Sequence, residues 1–271
     1  MIEGSSDVMG WTPDSDGIVL VNIRNGAMKI YRQSLEKDIA EPIVTSEVAW
    51  LEPQARSSPD RASVFYWVPA KQTPVSGTPT AVLNLMRIPI GGGPSRLVLS
   101  SSRSAWADVR CAKSPATLCV LLEMEGDRGV ATLTAFDPVK GREQELFKLD
   151  LGNWYEGWDV SPDGGNIAFV RNDAKISMFS LHGRLLEQIA PKGWTWNYGF
   201  DWAADGKGWF TSGRMGARQG LLHVDLQGNA RLLWPVANLY INFAVPSPDG
   251  HRLAISATAY TYSNVWMIEN F

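Results

Sequence analysis

One four-residue turn motif recurs along this chain and constrains its fold more than any other feature. Ser161-Pro162-Asp163-Gly164 and Ser247-Pro248-Asp249-Gly250 are its clearest copies. Thr12-Pro13-Asp14-Ser15, Ser58-Pro59-Asp60-Arg61, Ser114-Pro115-Ala116-Thr117 and Ala203-Ala204-Asp205-Gly206 are weaker ones. Their first residues stand at 12, 58, 114, 161, 203 and 247, so the spacings are 46, 56, 47, 42 and 44. Pro presets φ at the first corner, Asp bonds its own backbone, and Gly takes the left-handed corner. A repeat of this length is one supersecondary unit that must stack on its neighbours to bury its faces.

Between the turns, short alternating or fully apolar runs recur, and no stretch carries a 3.6-residue apolar stripe long enough for a helix. The fourth unit is the easiest to read. Glu156 to Val160, Asn166 to Arg171, Ile176 to Leu181 and Leu185 to Ile189 are its four expected strands, with the Pro-Asp-Gly turn between the first two. Such a sheet exposes both faces if left alone, and radial stacking covers them while protecting the edges. A β-sandwich suits similar strands, but the regular period favours a propeller. The expected fold is all-β: a single β-propeller over 1–271 with six four-stranded blades, starting near 8, 48, 105, 155, 198 and 241. The alternative is a truncated seven-bladed propeller.

The long second unit carries an insertion, Pro69 to Thr80, expected as a loop between its second and third strands. The sixth unit ends at its third strand, Asn264 to Ile268. Sealing the ring by strand exchange then requires Met1 to Asp7 to supply the closing strand.

Composition narrows the function classes. Lys+Arg number 25 against Asp+Glu 28, scattered rather than blocked, which is no footprint for nucleic acid. Apolar runs are too short for direct membrane insertion, and the first residues lack the pattern of a secretory signal. The expected compartment is cytoplasmic if the chain is complete, and extracytoplasmic if it is a fragment of a membrane-anchored sensor. With 12 Trp, 7 Tyr and 9 Phe but 3 His and 2 Cys, packing surface is plentiful and acid/base, thiol or metal chemistry is sparse.

The two Ser-Pro-Asp-Gly copies, each followed by a short apolar strand, resemble the propeller repeats of the Tol-system periplasmic translocation protein and its relatives. The ending from Pro246 through Gly250 to Asn264-Val265-Trp266-Met267-Ile268-Glu269-Asn270-Phe271 resembles the C-terminal propeller of acidobacterial-type proteins. Phe200 to Gly208 and Cys111 to Cys119 are similar to the same group. In those proteins the propeller follows a serine/threonine kinase or a winged-helix regulator. The resemblance therefore implies a sensory or interaction module, with an upstream kinase or regulatory domain in the relatives.

Candidate chemistry is limited. His182, His223 and His251 hold different positions in their units, so no metal site is expected, and no cofactor motif is present. Asp163, Asp205 and Asp249 recur at turns and are expected to stabilise them. Cys111 and Cys119 flank a turn and are a possible disulfide, with two buried thiols as the alternative. The most informative feature is the aromatic set leading into successive first strands. Trp154, Tyr155, Trp194, Trp196, Tyr198 and Tyr240 are expected to line a ligand-binding mouth opposite the Pro-Asp-Gly turns. Their alternative role is to wedge between blades, as Trp158, Trp202 and Phe243 are expected to do. Arg214 and Arg218, in the Gly213 to Gly220 loop, are candidates to rim the same face and meet anionic ligands.

The leading expectation is a non-catalytic binding or sensory propeller that engages a protein, peptide or small ligand at this face, with no catalytic residue assigned. A propeller hydrolase or lyase would instead need carboxylates converging in the channel, with Asp108, Glu156 and Asp201 as candidates. A purely structural assembly domain is the third option.

Overall fold

The computed structural model describes residues 5–24, 27–37, 39–45, 55–70, 82–101, 104–125, 129–151, 155–171, 173–237, 239–259 and 262–271. They form twenty-three strands in six antiparallel sheets, each strand pairing with its neighbour in sequence. The first blade holds β1 (Ser5–Trp11), β2 (Gly17–Arg24), β3 (Ala27–Ser34) and β4 (Ala40–Thr45). The second holds β5 (Ala55–Ser57), β6 (Ser63–Pro69), β7 (Leu83–Pro89) and β8 (Arg96–Ser101). The third holds β9 (Ser104–Cys111), β10 (Cys119–Glu125), β11 (Val130–Asp137) and β12 (Gly141–Asp150). The fourth holds β13 (Tyr155–Val160), β14 (Asn166–Arg171), β15 (Ile176–Ser180) and β16 (Leu185–Ile189). The fifth holds β17 (Thr195–Trp202), β18 (Gly208–Met215), β19 (Arg218–Asp225) and β20 (Ala230–Pro235). The sixth has three strands among the described residues: β21 (Tyr240–Pro246), β22 (Arg252–Ala259) and β23 (Tyr262–Glu269). The architecture is a six-bladed β-propeller.

Six apolar clusters, one in each gap between blades, hold the ring together. Strand alternation supplies them. On β6, Val64 and Tyr66 face the first blade's Val19 and Ile30, while Phe65 and Trp67 face Val109 and Leu121 of the third blade. Both faces of such a strand are buried, which is why the second strands read as continuous apolar runs. Trp158 and Phe169 stack in the gap between the third and fourth blades with ring centroids 6.0 Å apart.

The ring closes by packing. Val8, Trp11, Ile18 and Leu20 of the first blade meet Ala254 of the sixth. The indole of Trp11 donates to the carbonyl of Val245 at 2.8 Å, and Arg252 Nη1 donates to the carbonyl of Ser15 at 3.0 Å. Closure by strand exchange does not occur through Ser5 to Asp7. These residues pair with Ile23, Asn22 and Val21 and so belong to the inner strand of the first blade rather than to the sixth sheet. Met1 to Gly4 lie outside the described residues.

The turn motif performs as its chemistry dictates. Ser161 Oγ donates to Asp163 Oδ1, which also accepts the Gly165 N–H, and Ser247 and Asp249 repeat the arrangement. The third unit departs from the expected alignment. Its turn is closed by the Ala112 N–H donating to Leu118 O, the bond that Ser58, Ser161 and Ser247 make to the residue five places on. The structural start of the motif is therefore Ala112 rather than Ser114, and Lys113 occupies the place the other blades give mostly to Pro. The insertion joins β6 to β7, and its residues 71–81 lie outside the described set. No described helix is long and apolar enough to cross a membrane.

Candidate functional site

The propeller has two unlike faces. At the turn face, Pro13, Pro59, Pro115, Pro162, Ala204 and Pro248, one from each blade, ring a depression at the mouth of the central channel. Just below it, the residues two places before each turn are Gly10, Arg56, Arg110, Asp159, Asp201 and Val245, and all six line one cavity. Two cations on adjacent blades thus stand beside two carboxylates on the next pair.

These charges are buried and tied to backbone. Asp108 accepts the Val109 N–H at 2.8 Å and the Trp158 indole N–H at 3.1 Å, with Arg110 Nη2 at 3.5 Å and Arg56 Nη2 at 3.8 Å. Asp159 accepts the N–H of Val160 at 2.9 Å and that of Trp202, on the next blade, at 2.8 Å. Asp201 reaches the Ala244 N–H of the sixth blade at 3.4 Å. Lys113 extends from the third blade to the fifth, its Nζ donating to Trp202 O at 2.7 Å. The guanidinium carbon of Arg56 lies 5.2 Å from the ring centroid of Phe243, across the channel.

Burial governs the protonation of this cluster, because removing a charge from water disfavours the charged form. Burial, with the Asp159 carboxylate beside it, pushes the Asp201 carboxyl up to about 7. The Asp108 and Asp159 carboxyls are also raised by burial, against the pull of Arg56 and Lys113 respectively. Burial draws the Lys113 ammonium down to about 8 and the Arg61 guanidinium down to about 10. In contrast, the Ser161 hydroxyl and Gly165 N–H hold the Asp163 carboxyl below the ordinary range.

The opposite face carries two of the residues singled out in the sequence, Arg214 and Tyr240. Thr195, Arg214, Gly216, Gln219 and Tyr240 line an open depression between the fifth and sixth blades. Tyr240 is 44% exposed. Arg214 Nε donates to Gly216 O at 2.9 Å, and Gln219 Nε2 donates to Leu239 O at 2.6 Å, which fixes the floor. Arg214 and Arg218 do not sit in a loop spanning 213–220. Arg214 pairs with Gln219 and Met215 with Arg218, so β18 and β19 run into a tight hairpin. Arg218 is exposed there but does not line the depression.

Trp194 is 8% exposed and packs with Ile189, Phe200 and Trp209 in the gap between the fourth and fifth blades. Trp154 lies outside the described residues; Tyr155 opens β13 and Trp196 and Tyr198 fall on β17, with their side chains outside the described set. The same holds for the side chain of Glu156. Trp158 and Trp202 are buried between blades.

Cys111 and Cys119 are directly opposite on β9 and β10, Cα atoms 4.0 Å apart, and are joined as a disulfide. Among the described residues no three His, Cys, Asp or Glu side chains gather as a metal site. His223 packs on Phe210 at 5.3 Å, and burial lowers its pKa.

Arg56, Arg61, Arg110, Lys113 and Asp159 escaped the sequence reading. Counting two places back from each turn would have found Arg56 and Asp159, whereas Arg110 required the third turn to be aligned on Ala112.

No family model and no curated protein matches the sequence. Solved structures match its fold. TolB from Acinetobacter baumannii superposes with a TM-score of 0.64 at 17% identity, over 86% of this chain and 55% of that one. A protein described as TolB from Agrobacterium tumefaciens gives 0.68 at 17% identity, over 100% of this chain and 91% of that one. Oligogalacturonate lyase from Vibrio parahaemolyticus gives 0.59 at 13% identity, over 97% of this chain and 74% of that one. The chain thus spans about half the length of the first of these and most of the second. Likeness at this level of identity is likeness of fold.

Proposed function

We propose that this chain is a non-catalytic binding propeller that receives a protein or peptide on the face opposite the Pro-Asp-Gly turns. The observation that carries the reading is the depression lined by Thr195, Arg214, Gln219 and Tyr240. Tyr and Arg are the side chains that most often dominate partner recognition, since each offers large contact area together with a polar end. Trp154, Tyr155, Trp196 and Tyr198 lie in sequence where segments enter the inner strands at this same face, and the reading extends the surface through them. Trp194, buried between the fourth and fifth blades, is left out of this surface. Two of the channel carboxylates are committed elsewhere: Asp108 accepts the Val109 and Trp158 indole N–H groups, and Asp159 accepts those of Val160 and Trp202.

The test is a photo-crosslinking amino acid placed at Tyr240 and, for comparison, at Val139, which is 80% exposed in another blade. A discrete partner adduct at position 240 and none at 139, lost when Arg214 is replaced by Ala, is the expected result. Equal labelling at both positions would overturn the reading.

One observation favours a second reading, a propeller enzyme. Burial, with the Asp159 carboxylate beside it, pushes the Asp201 carboxyl up to about 7 inside the channel, the range a general acid or base uses. Two of the neighbours in fold are oligogalacturonate lyases, so oligogalacturonate is the first substrate to try. Turnover that disappears in Asp201→Asn, with the fold intact, would favour this reading over the first.

A further inference from the structure

Arg61 stands where the repeat calls for glycine. The fourth turn position has φ of 75° at Gly164, 72° at Gly206 and 74° at Gly250, and Arg61 adopts 55°. Ser15 holds the same position in the first blade at φ 63°, so glycine is not obligatory there, but a side chain as long as that of Arg61 is disfavoured in the left-handed region, which directs attention to what it touches. That side chain lines both the rim of the turn face and the cavity beneath it.

The hydrogen-bond inventory of this cavity is incomplete. Arg61 Nη1, Arg56 Nε and Ser57 Oγ are all buried without a hydrogen-bond partner, and all three residues line the cavity. Arg56 and Ser57 are consecutive, and Arg61 follows on the same turn. Buried polar groups in folded proteins are almost always paired, because withdrawing one from water without a partner is costly. These three can all donate, and two carry positive charge. The carboxylate that acts on Arg61 is Asp249, which is already held by the Ser247 hydroxyl and the His251 N–H. Arg56, Arg61, Arg110 and Lys113 line the cavity and its mouth together with Asp159 and Asp201, whose pKa burial raises, and with Asp60 and Asp163 on the rim, each already accepting from its own turn.

We infer that the turn-face mouth of the channel is a second binding site, one that takes a carboxylate through Arg61, with Arg56 and Ser57 completing its hydrogen bonds. Arg61 is partly exposed, and rotation of its guanidinium admits the incoming oxygens. A guanidinium fork matches a carboxylate in geometry as well as charge. The cavity beneath the proline rim has a volume of about 70 Å³, which suits a carboxylate group, from a small free acid or the carboxyl end of an extended peptide, rather than a bulky anion. This site is independent of the face proposed above and stands or falls separately.

The test is isothermal titration of the full chain with sodium acetate, N-acetyl-Gly-Gly-Ala and the C-terminal amide of that peptide. The free acid is expected to bind at least tenfold tighter than the amide. Acetate binding as tightly as the acid assigns a small free carboxylate, and tighter binding of the peptide assigns a chain terminus. Arg61→Gly is expected to lose at least tenfold in affinity while its Tm stays equal or rises, because glycine is the natural occupant of this backbone conformation. Ser57→Ala gives an independent check, weakening the binding without unfolding the chain. Equal binding of acid and amide, no binding of any probe at millimolar concentration, or unchanged affinity in Arg61→Gly would overturn the inference.

Discussion

The two faces of this propeller are built from the same repeat and differ in what the repeat leaves free. At the turn face every blade contributes a tight corner, and the charges behind it are buried and tied to backbone. At the other face the described corner from Met215 to Arg218 is exposed, and Tyr240 and Arg214 reach solvent beside it. The difference teaches that the turn face carries buried, backbone-bound charge while the opposite face presents side chains to solvent, where a substitution costs the fold least.

Substitutions can break that contrast, and the largest effect belongs to the turn face. Trp11→Ala removes a fully buried indole from the closing interface together with its bond to Val245. It is expected to lower stability by about 3–5 kcal/mol, read from urea unfolding. A loss below about 1 kcal/mol would show that packing at this gap does not close the ring.

The second effect is a pH dependence confined to the channel. Because the Asp201 carboxyl is raised to about 7, the folded chain keeps a proton that the unfolded chain has already released. Stability is therefore expected to fall as pH rises from about 4, the unfolded value, toward 7. Asp201→Asn should flatten this slope, and an unchanged slope in the variant would assign it elsewhere.

Asp163→Ala comes next, at about 0.5–2 kcal/mol, the scale of a lost local turn or cap bond. The measurement is thermal unfolding. The smallest effect is on the other face, where Tyr240→Ala should change stability by no more than about 0.5 kcal/mol while abolishing the crosslinked adduct. A large loss of stability there would erase the distinction between a framework face and a recognition face.

The blades were legible because turn chemistry and strand alternation are local: Pro162-Asp163-Gly164 and the run Asn166 to Arg171 specify a corner and a strand without reference to the rest of the chain. The candidate site was less legible. The aromatic pattern pointed to one face, yet Trp194 lies between blades while Tyr240 lies in the open, and their residue types alone could not separate them. The third turn was misaligned because Ser114-Pro115 resembles the motif, whereas the closing bond is made by Ala112.

By itself the sequence determined the repeat and the all-β class, since each follows from interactions within about forty residues, while the choice of six blades over a truncated seven came with the sheets themselves. How the ring closes and which charges meet in the channel were decided only by the tertiary structure. Arg56, Arg110, Asp159 and Asp201 come from four blades, and their proximity depends on the radius and angle at which the sheets stack. That stacking is set by side chains packing across every gap at once, and no single stretch of sequence contains it.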